Sequence, residues 1–267
     1  MSELSSMSDT YLVIGANGAQ GGAVAKRLVR DGHHVRGFGR ANGGGLGDPE
    51  AVRAAFEGVT RASVTLPMEF DPALVARYVD NIIAAAHGCE RLVFNASNRI
   101  PAARTSVAAF ETKRDAVDAL FASGIPTVVL RPPVYLENLF PSDGVLAYPI
   151  PAGHRVAWLA HDDLGALTAA AFDRDDLLGT SVDVGGKDIV TGAELAAAFN
   201  VRYLPLDPDA FEEHMTPILG SAAASGVAAT YRWLSVPENA HFYDGDPDKV
   251  EALFGVELTP LHTWITR

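Results

Sequence analysis

Residues 11–40 read YLVIGANGAQGGAVAKRLVRDGHHVRGFGR. The run Tyr11, Leu12, Val13, Ile14 is too short for a stable helix and is stopped by Gly15, which suits a strand buried on both faces of a parallel sheet. Gly15, Gly18 and Gly21 follow at the spacing G-x-x-G-x-x-G. In a strand-to-helix turn the first glycine takes a conformation barred to side chains, the second lets a pyrophosphate approach the backbone, and the third lets helix and strand pack closely. Residues 20–30 then read as an amphipathic helix with Val24 and Leu28 on one face, stopped at Asp31-Gly32. A second strand, residues 35–40, completes the unit. Strand, glycine turn, helix and strand in this order predict a dinucleotide cradle built from Gly15, Asn17, Gly18, Ala19, Gln20 and Gly21, with phosphate on the helix N-terminus.

The second strand ends on Arg40, where an NAD enzyme would carry Asp or Glu for the ribose hydroxyls. An arginine there pairs with a 2′-phosphate, a charge-assisted contact of about 1.5–3 kcal/mol, which predicts a roughly tenfold to hundredfold preference for NADP(H). Arg40→Ala is therefore expected to weaken NADPH binding far more than NADH binding. The following glycine-rich run, residues 41–47, is flexible by composition and either folds over an adenine or simply connects elements.

The 267 residues suffice for one large domain with a smaller lobe, and 48% hydrophobic content describes a folded chain. A net charge of −12 argues against a nucleic-acid surface. Cys89 is the only cysteine, so no intrachain disulfide forms and a reducing compartment is the simpler expectation. Residues 1–9 read as a flexible leader without a signal-peptide pattern, and no segment is apolar for long enough to span a bilayer. These features predict a cytoplasmic protein without a membrane partner.

Strands and helices keep alternating. Asp48-Pro49 and Asp71-Pro72 open helices, and residues 62–66, 91–94 and 126–130 read as strands. The 91–94 strand delivers Asn95, Ala96 and Ser97 to its C-terminal end, where open parallel sheets bind ligands. Ser97 and Asn98 either face a substrate there or make turn hydrogen bonds. Residues 105–123 read as a helix carrying Lys113.

This order of glycine turn, Arg40, Asn95-to-Ser97 strand end and Lys113 continues into SGIPTVVLRPPVYLENL. It resembles the NmrA-like branch of the atypical short-chain dehydrogenases/reductases over nearly the whole chain. Residues 160–165, 180–186 and 190–195 resemble that family's later helix, final sheet strand and late helix start. The resemblance implies an α/β fold, a doubly wound parallel Rossmann sheet that binds NADP(H), with a smaller, mostly helical C-terminal substrate lobe. On that frame residues 10–135 and 155–200 form the cofactor domain, and residues 136–154 and 201–267 the lobe. Lys113 matches the family lysine that contacts the nicotinamide ribose. Asn95, Pro133 and Val134, together with Thr65, Leu66 and Pro67, match segments beside the cofactor.

One position departs from the wider superfamily, whose Tyr-x-x-x-Lys pair donates a proton to a carbonyl. Four residues before Lys113 stands Ala109, and Phe110 cannot replace a hydroxyl. Ser97 and Tyr135 are the remaining catalytic candidates beside Lys113, and Asn98, Tyr135 and Asn138 the candidate lining of a substrate pocket. Hydride transfer without that acid suits a quinone, an enone, an iminium or another cation, where charge is delocalised or quenched. The expected function is thus an NADPH-dependent oxidoreductase acting on a small electrophile. A cofactor-sensing regulatory protein without turnover is the alternative, and an isomerase or epimerase that retains its cofactor is the third reading. His161-Asp162-Asp163 reads as a helix entry with an N-capping aspartate rather than a metal site. Helical faces of the outer layer are candidates for a symmetric homodimer.

Overall fold

The computed structural model describes residues 10–267, so the leader at residues 1–9 lies outside the described residues. Ten strands and ten helices follow in chain order, beginning with β1 (Thr10–Ile14), α1 (Ala19–Arg30), β2 (His34–Phe38), α2 (Pro49–Phe56) and β3 (Arg61–Thr65). Next come α3 (Pro72–Ala85), β4 (Arg91–Asn95), α4 (Ala108–Ala122), β5 (Thr127–Arg131), β6 (Val145–Tyr148) and β7 (Val156–Ala157). The chain closes with α5 (His161–Ala171), β8 (Thr180–Asp183), β9 (Ile189–Val190), α6 (Gly192–Ala198), β10 (Arg202–Pro205), α7 (Pro208–Leu219), α8 (Ser221–Leu234), α9 (Pro247–Phe254) and α10 (Leu261–Ile265).

Six strands form one parallel sheet in the order β2-β1-β3-β4-β5-β8. Period-two alternation sends Leu12 and Ile14 to one face and Tyr11 and Val13 to the other. The first face packs on α2, α3 and α4 through Val52, Val79, Ile82 and Leu120. The second packs on α1 and α5 through Val24, Leu28, Leu164 and Leu167. Helices on both faces make this a doubly wound, Rossmann-like α/β fold, as the alternating pattern predicts. In the usual dinucleotide order a third strand lies outside the second. Here β2 is the edge, because residues 39–48 lead straight from it into α2.

Side-chain caps start several helices where the sequence placed them. Asp48 accepts from the amides of Glu50 and Ala51, and Asp71 from those of Ala73 and Leu74. The helix expected from residue 105 starts instead at Ala108. Glu111 captures the Thr105 amide and hydroxyl, and Thr105 Oγ1 accepts from the Val107 amide, which holds residues 105–107 outside the helix.

A third cluster lies apart from the two faces of the sheet. Leu136, Leu146, Tyr148, Trp158, Leu195, Tyr231 and Leu261 form it, and β10 pairs with β6 within it. The expected N-capping aspartate is a correction: α5 has no side-chain cap, and buried Asp163 instead accepts from the Thr259 amide (3.0 Å) and hydroxyl (2.7 Å). That carboxylate fastens the C-terminal segment to α5. Cys89 is buried, and desolvation raises its thiol to about 11, well away from a reactive thiolate. Among the described residues, no helix is long and apolar enough to cross a membrane.

Candidate functional site

A β-strand followed by a helix on a parallel sheet delivers its turn to the C-terminal edge, so the ends of β1 to β5 converge on one rim. The glycine turn between β1 and α1 shows three separate demands there. Gly15 has a φ of +85°, donates to the Phe38 carbonyl (2.9 Å), and a Cβ on it would sit 3.0 Å from the Thr65 carbonyl oxygen. Gly21 lies against the turn so closely that a Cβ would stand 2.3 Å from the Gly15 oxygen. Gly18 is the contrast, because a Cβ on it would meet only that oxygen, at 3.4 Å.

Helix α1 takes Gly18 as its N-cap with no side-chain cap, and its first backward bond runs from the Gly22 amide to the Gly18 carbonyl. The amides of Ala19, Gln20 and Gly21 are thus left without backbone partners, and Asn17, Gly18 and Ala19 are exposed. Unpaired amides at the positive end of a twelve-residue helix, approached over a bare glycine, fit a pyrophosphate. Arg40 is exposed just beyond β2 and makes no ion pair among the described residues.

Behind the turn, side chains from three segments meet on one oxygen. Gln20 Oε1 accepts from Asn95 Nδ2 (2.7 Å), Ser97 Oγ (2.9 Å) and the Tyr135 hydroxyl (3.1 Å). Asn95 Nδ2 also lies 3.5 Å from Thr65 Oγ1, and Asn95 Oδ1 accepts from the Ser97 amide (2.9 Å). Ser97 holds a left-handed φ of 57°, rare for a side-chain-bearing residue, as the strand end turns sharply. The structure therefore brings Gln20, Thr65, Asn95, Ser97 and Tyr135 together. Tyr135 is a poor acid in this setting: burial raises its hydroxyl well above the usual range, and its proton is directed at Gln20.

Lys113 lies in the second turn of α4, one helical turn before Ala116 and Val117, which pack into the sheet's first face. Only 5% of it is exposed, and its ammonium makes no hydrogen bond or ion pair among the described residues. Desolvation alone lowers it to about 8. Ala109, at i−4, is buried, so no hydroxyl accompanies it on that face. A buried cation without a protein partner is costly and suits a site that receives polar groups.

The other expected residues lie near the rim or apart from it. Leu66 is buried in the first core, Pro67 is exposed, and Pro133 and Val134 are buried, with the Val134 carbonyl accepting from the Leu159 amide (3.0 Å). Asn98 does not join the knot: its Oδ1 accepts from the Tyr243 hydroxyl (2.8 Å). Asn138 is exposed and faces the Tyr148 hydroxyl in the third cluster.

Two residues escaped the sequence reading. Tyr243 grips Asn98, and buried Arg99 donates to the Phe242 carbonyl (2.8 Å), so the loop after β4 holds Gln20 on one side and the C-terminal region on the other. Phe242 and Trp233 also pack edge-on against Phe110 of α4, at 5.5 and 5.1 Å. Position 226 is a glycine because a Cβ there would collide with the Phe70 ring, which joins the loop after β3 to α8. No periodicity marks residues 241–245, so only the fold reveals their place.

Residues 7–204 match the model of the NmrA-like family. No curated protein matches the chain in sequence. Among solved structures, an NADPH-dependent quinone oxidoreductase from Escherichia coli complexed with NADPH is similar with a TM-score of 0.74 at 19% identity, over 96% of this chain and 98% of that one. Triphenylmethane reductase from Citrobacter sp., complexed with NADP(H), gives 0.74 at 18% identity over 97% and 99%. NmrA, a negative transcriptional regulator in complex with NADP, gives 0.71 at 16% identity over 97% and 94%. At such identities the likeness is one of fold.

Proposed function

The chain belongs to the NmrA-like family, and from that premise we propose that it is an NADPH-dependent oxidoreductase that reduces a small electrophile without a tyrosine acid. The observation that carries the reading is the uncapped N-terminus of α1 above a bare Gly18, flanked by unpaired Arg40 and accompanied by buried, unpaired Lys113. Bound NADPH supplies a hydride. The amides of Ala19, Gln20 and Gly21 hold its pyrophosphate, Arg40 takes the 2′-phosphate, and Lys113 donates to the nicotinamide ribose. The packed residues around Phe110, Trp233 and Phe242 exclude water on the α4 side.

With Ala109 beside Lys113, and Tyr135 buried and directed at Gln20, no acid stands ready for a plain ketone. Quinones, enones, iminium ions and related cations are the substrates this chemistry favours, since water can deliver the proton after hydride transfer. That the structural relatives include reductases of quinones and triphenylmethanes supports this class. The same missing acid favours a second reading, a regulator that binds NADP(H) without turnover, and the likeness to NmrA supports that reading.

The deciding measurement is NADPH oxidation by the purified protein against quinones, enones, aldehydes, ketones and imines, with Lys113→Ala as control. Turnover confined to conjugated or cationic acceptors, and weakened in the variant, is the expected result. Efficient reduction of plain ketones would show that a proton donor operates after all, with Tyr135 the first to test. Tight NADPH binding without turnover of any acceptor would leave the regulator as the function.

A further inference from the structure

Among the described residues no strand lies outside β2, so Arg40, on the adenosine side of the cradle, must be held in place by other means. Those means lie in the ten residues that replace that strand. Gly39 and Asn42 exchange backbone hydrogen bonds in both directions (3.0 and 2.8 Å), which closes a two-residue turn with Arg40 and Ala41 at its tip. Asn42 then reaches back from this turn to the glycine cradle. Its Oδ1 accepts from Asn17 Nδ2 at 2.7 Å, and its own Nδ2 donates to the Gly37 carbonyl of β2 at 3.2 Å.

Two glycines make room for this contact. A Cβ at Gly37 would stand 3.2 Å from Asn42 Nδ2 and 3.0 Å from the Ala16 Cβ, and one at Gly39 would stand 3.6 Å from Asn17 Nδ2. Beyond the turn the run is packed rather than slack, contrary to what its composition suggests. Gly43 lies on the Phe38 ring, Leu46 is buried, and Asn81 Nδ2 donates to the Leu46 carbonyl (2.8 Å).

We propose that Asn42 is the positioning residue for cofactor preference: by bridging Asn17 and Gly37 it holds the two-residue turn against the cradle and presents Arg40 to the 2′-phosphate of NADPH. The inference rests on the reading of the cradle as an NADPH site. It goes further by making the preference depend on a side chain that touches no phosphate itself. Both ends of the amide are needed, because the oxygen serves Asn17 while the nitrogen serves Gly37. An aspartate would keep the first contact, lose the second and place a negative charge beside the phosphate.

Calorimetric dissociation constants for NADPH and NADH, measured on the wild type, Asn42→Ala, Arg40→Ala and the double variant, test this. Arg40→Ala is expected to lose roughly tenfold to hundredfold for NADPH with NADH nearly unchanged. Asn42→Ala alone is expected to lose about tenfold for NADPH and under about threefold for NADH, and to add under about threefold once Arg40 is gone. Asn42→Asp is expected to lower the NADPH/NADH ratio further than Asn42→Ala, with an unfolding midpoint like that of the wild type. Equal losses for both cofactors in Asn42→Ala, or an undiminished loss in the Arg40→Ala background, would overturn the positioning role while leaving the NADPH site intact. A wild type that binds NADPH no better than NADH would instead remove the reading beneath it.

Discussion

Gly21→Ala is expected to destabilise the protein by about 3 kcal/mol, the upper end for an overpacked site, and so to lower the unfolding midpoint by on the order of 6–12 °C. Gly18→Ala is expected to leave the fold nearly untouched, within about 1 kcal/mol, and to weaken NADPH binding roughly a hundredfold. The two residues lie three apart in one turn, yet their surroundings differ in kind. A methyl at position 21 would need to occupy space 2.3 Å from the Gly15 oxygen and 2.5 Å from the Gly15 carbonyl carbon, both backbone atoms that cannot swing away. A methyl at position 18 has 3.4 Å to its nearest neighbour, and the backbone there (φ −86°, ψ 167°) is open to any residue. It would project instead into the space that the proposed pyrophosphate site requires over the amides of α1. Thermal unfolding and calorimetric NADPH binding on both variants separate packing from ligand approach. Normal NADPH affinity in folded Gly18→Ala would show that the turn is a packing device and holds no phosphate.

The glycine turn was legible in the sequence because its logic is local: three glycines, a preceding apolar run and a following amphipathic helix all lie within one strand-turn-helix unit. The two-faced sheet was legible for the same reason, each strand carrying its own alternation or buried run. What failed were places where a side-chain partner, near or far along the chain, displaced a local rule. An aspartate at a helix entry reads as a cap, but Asp163 instead serves Thr259, 96 residues further on. Thr105 reads as the first residue of a helix, but Glu111 folds back on it and delays the start to Ala108.

The candidate site divides along the same line. Gln20, Asn95, Ser97 and Tyr135 were each singled out from their own segments, but the single oxygen on which three of them converge exists only once α1, β4 and the segment after β5 are side by side. That convergence also changes what Tyr135 offers, from a candidate acid at a strand end to a buried hydroxyl that orients Gln20. Tyr243 and Arg99 carried no signal at all, since loop residues without periodicity or motif acquire meaning only from what they touch. The edge position of β2 was implicit in the short distance from residue 39 to Asp48, but length alone does not say which strand of a series is missing.

Lys113→Met is expected to stabilise the cofactor-free protein at pH 7 while weakening its hold on NADPH, and the two effects should depend on pH in opposite ways. Burial lowers the ammonium to about 8 from 10.5, with no partner to offset the loss of water. Between these values the unfolded chain binds a proton that the folded one does not, so stability rises with pH across that window. Below about pH 8 the full penalty applies, on the order of 3 kcal/mol. A methionine fills a similar volume without charge, so the variant should be more stable by up to about that amount at pH 7, and the gap should close between pH 8 and 10.5. Binding runs the other way. The charged amine is the form that attracts an anionic cofactor, so wild-type affinity should fall as pH rises through 8, while Lys113→Met, already roughly tenfold to hundredfold weaker at pH 7, stays flat over the same range. The difference between the two binding curves follows the titration of Lys113. Chemical denaturation and calorimetric NADPH binding from pH 6.5 to 10 on both proteins read the two effects separately. Parallel pH profiles for wild type and variant would show that Lys113 is a packed side chain with no part in holding the cofactor. Opposite slopes would show a buried charge kept at the expense of stability for its part in cofactor binding.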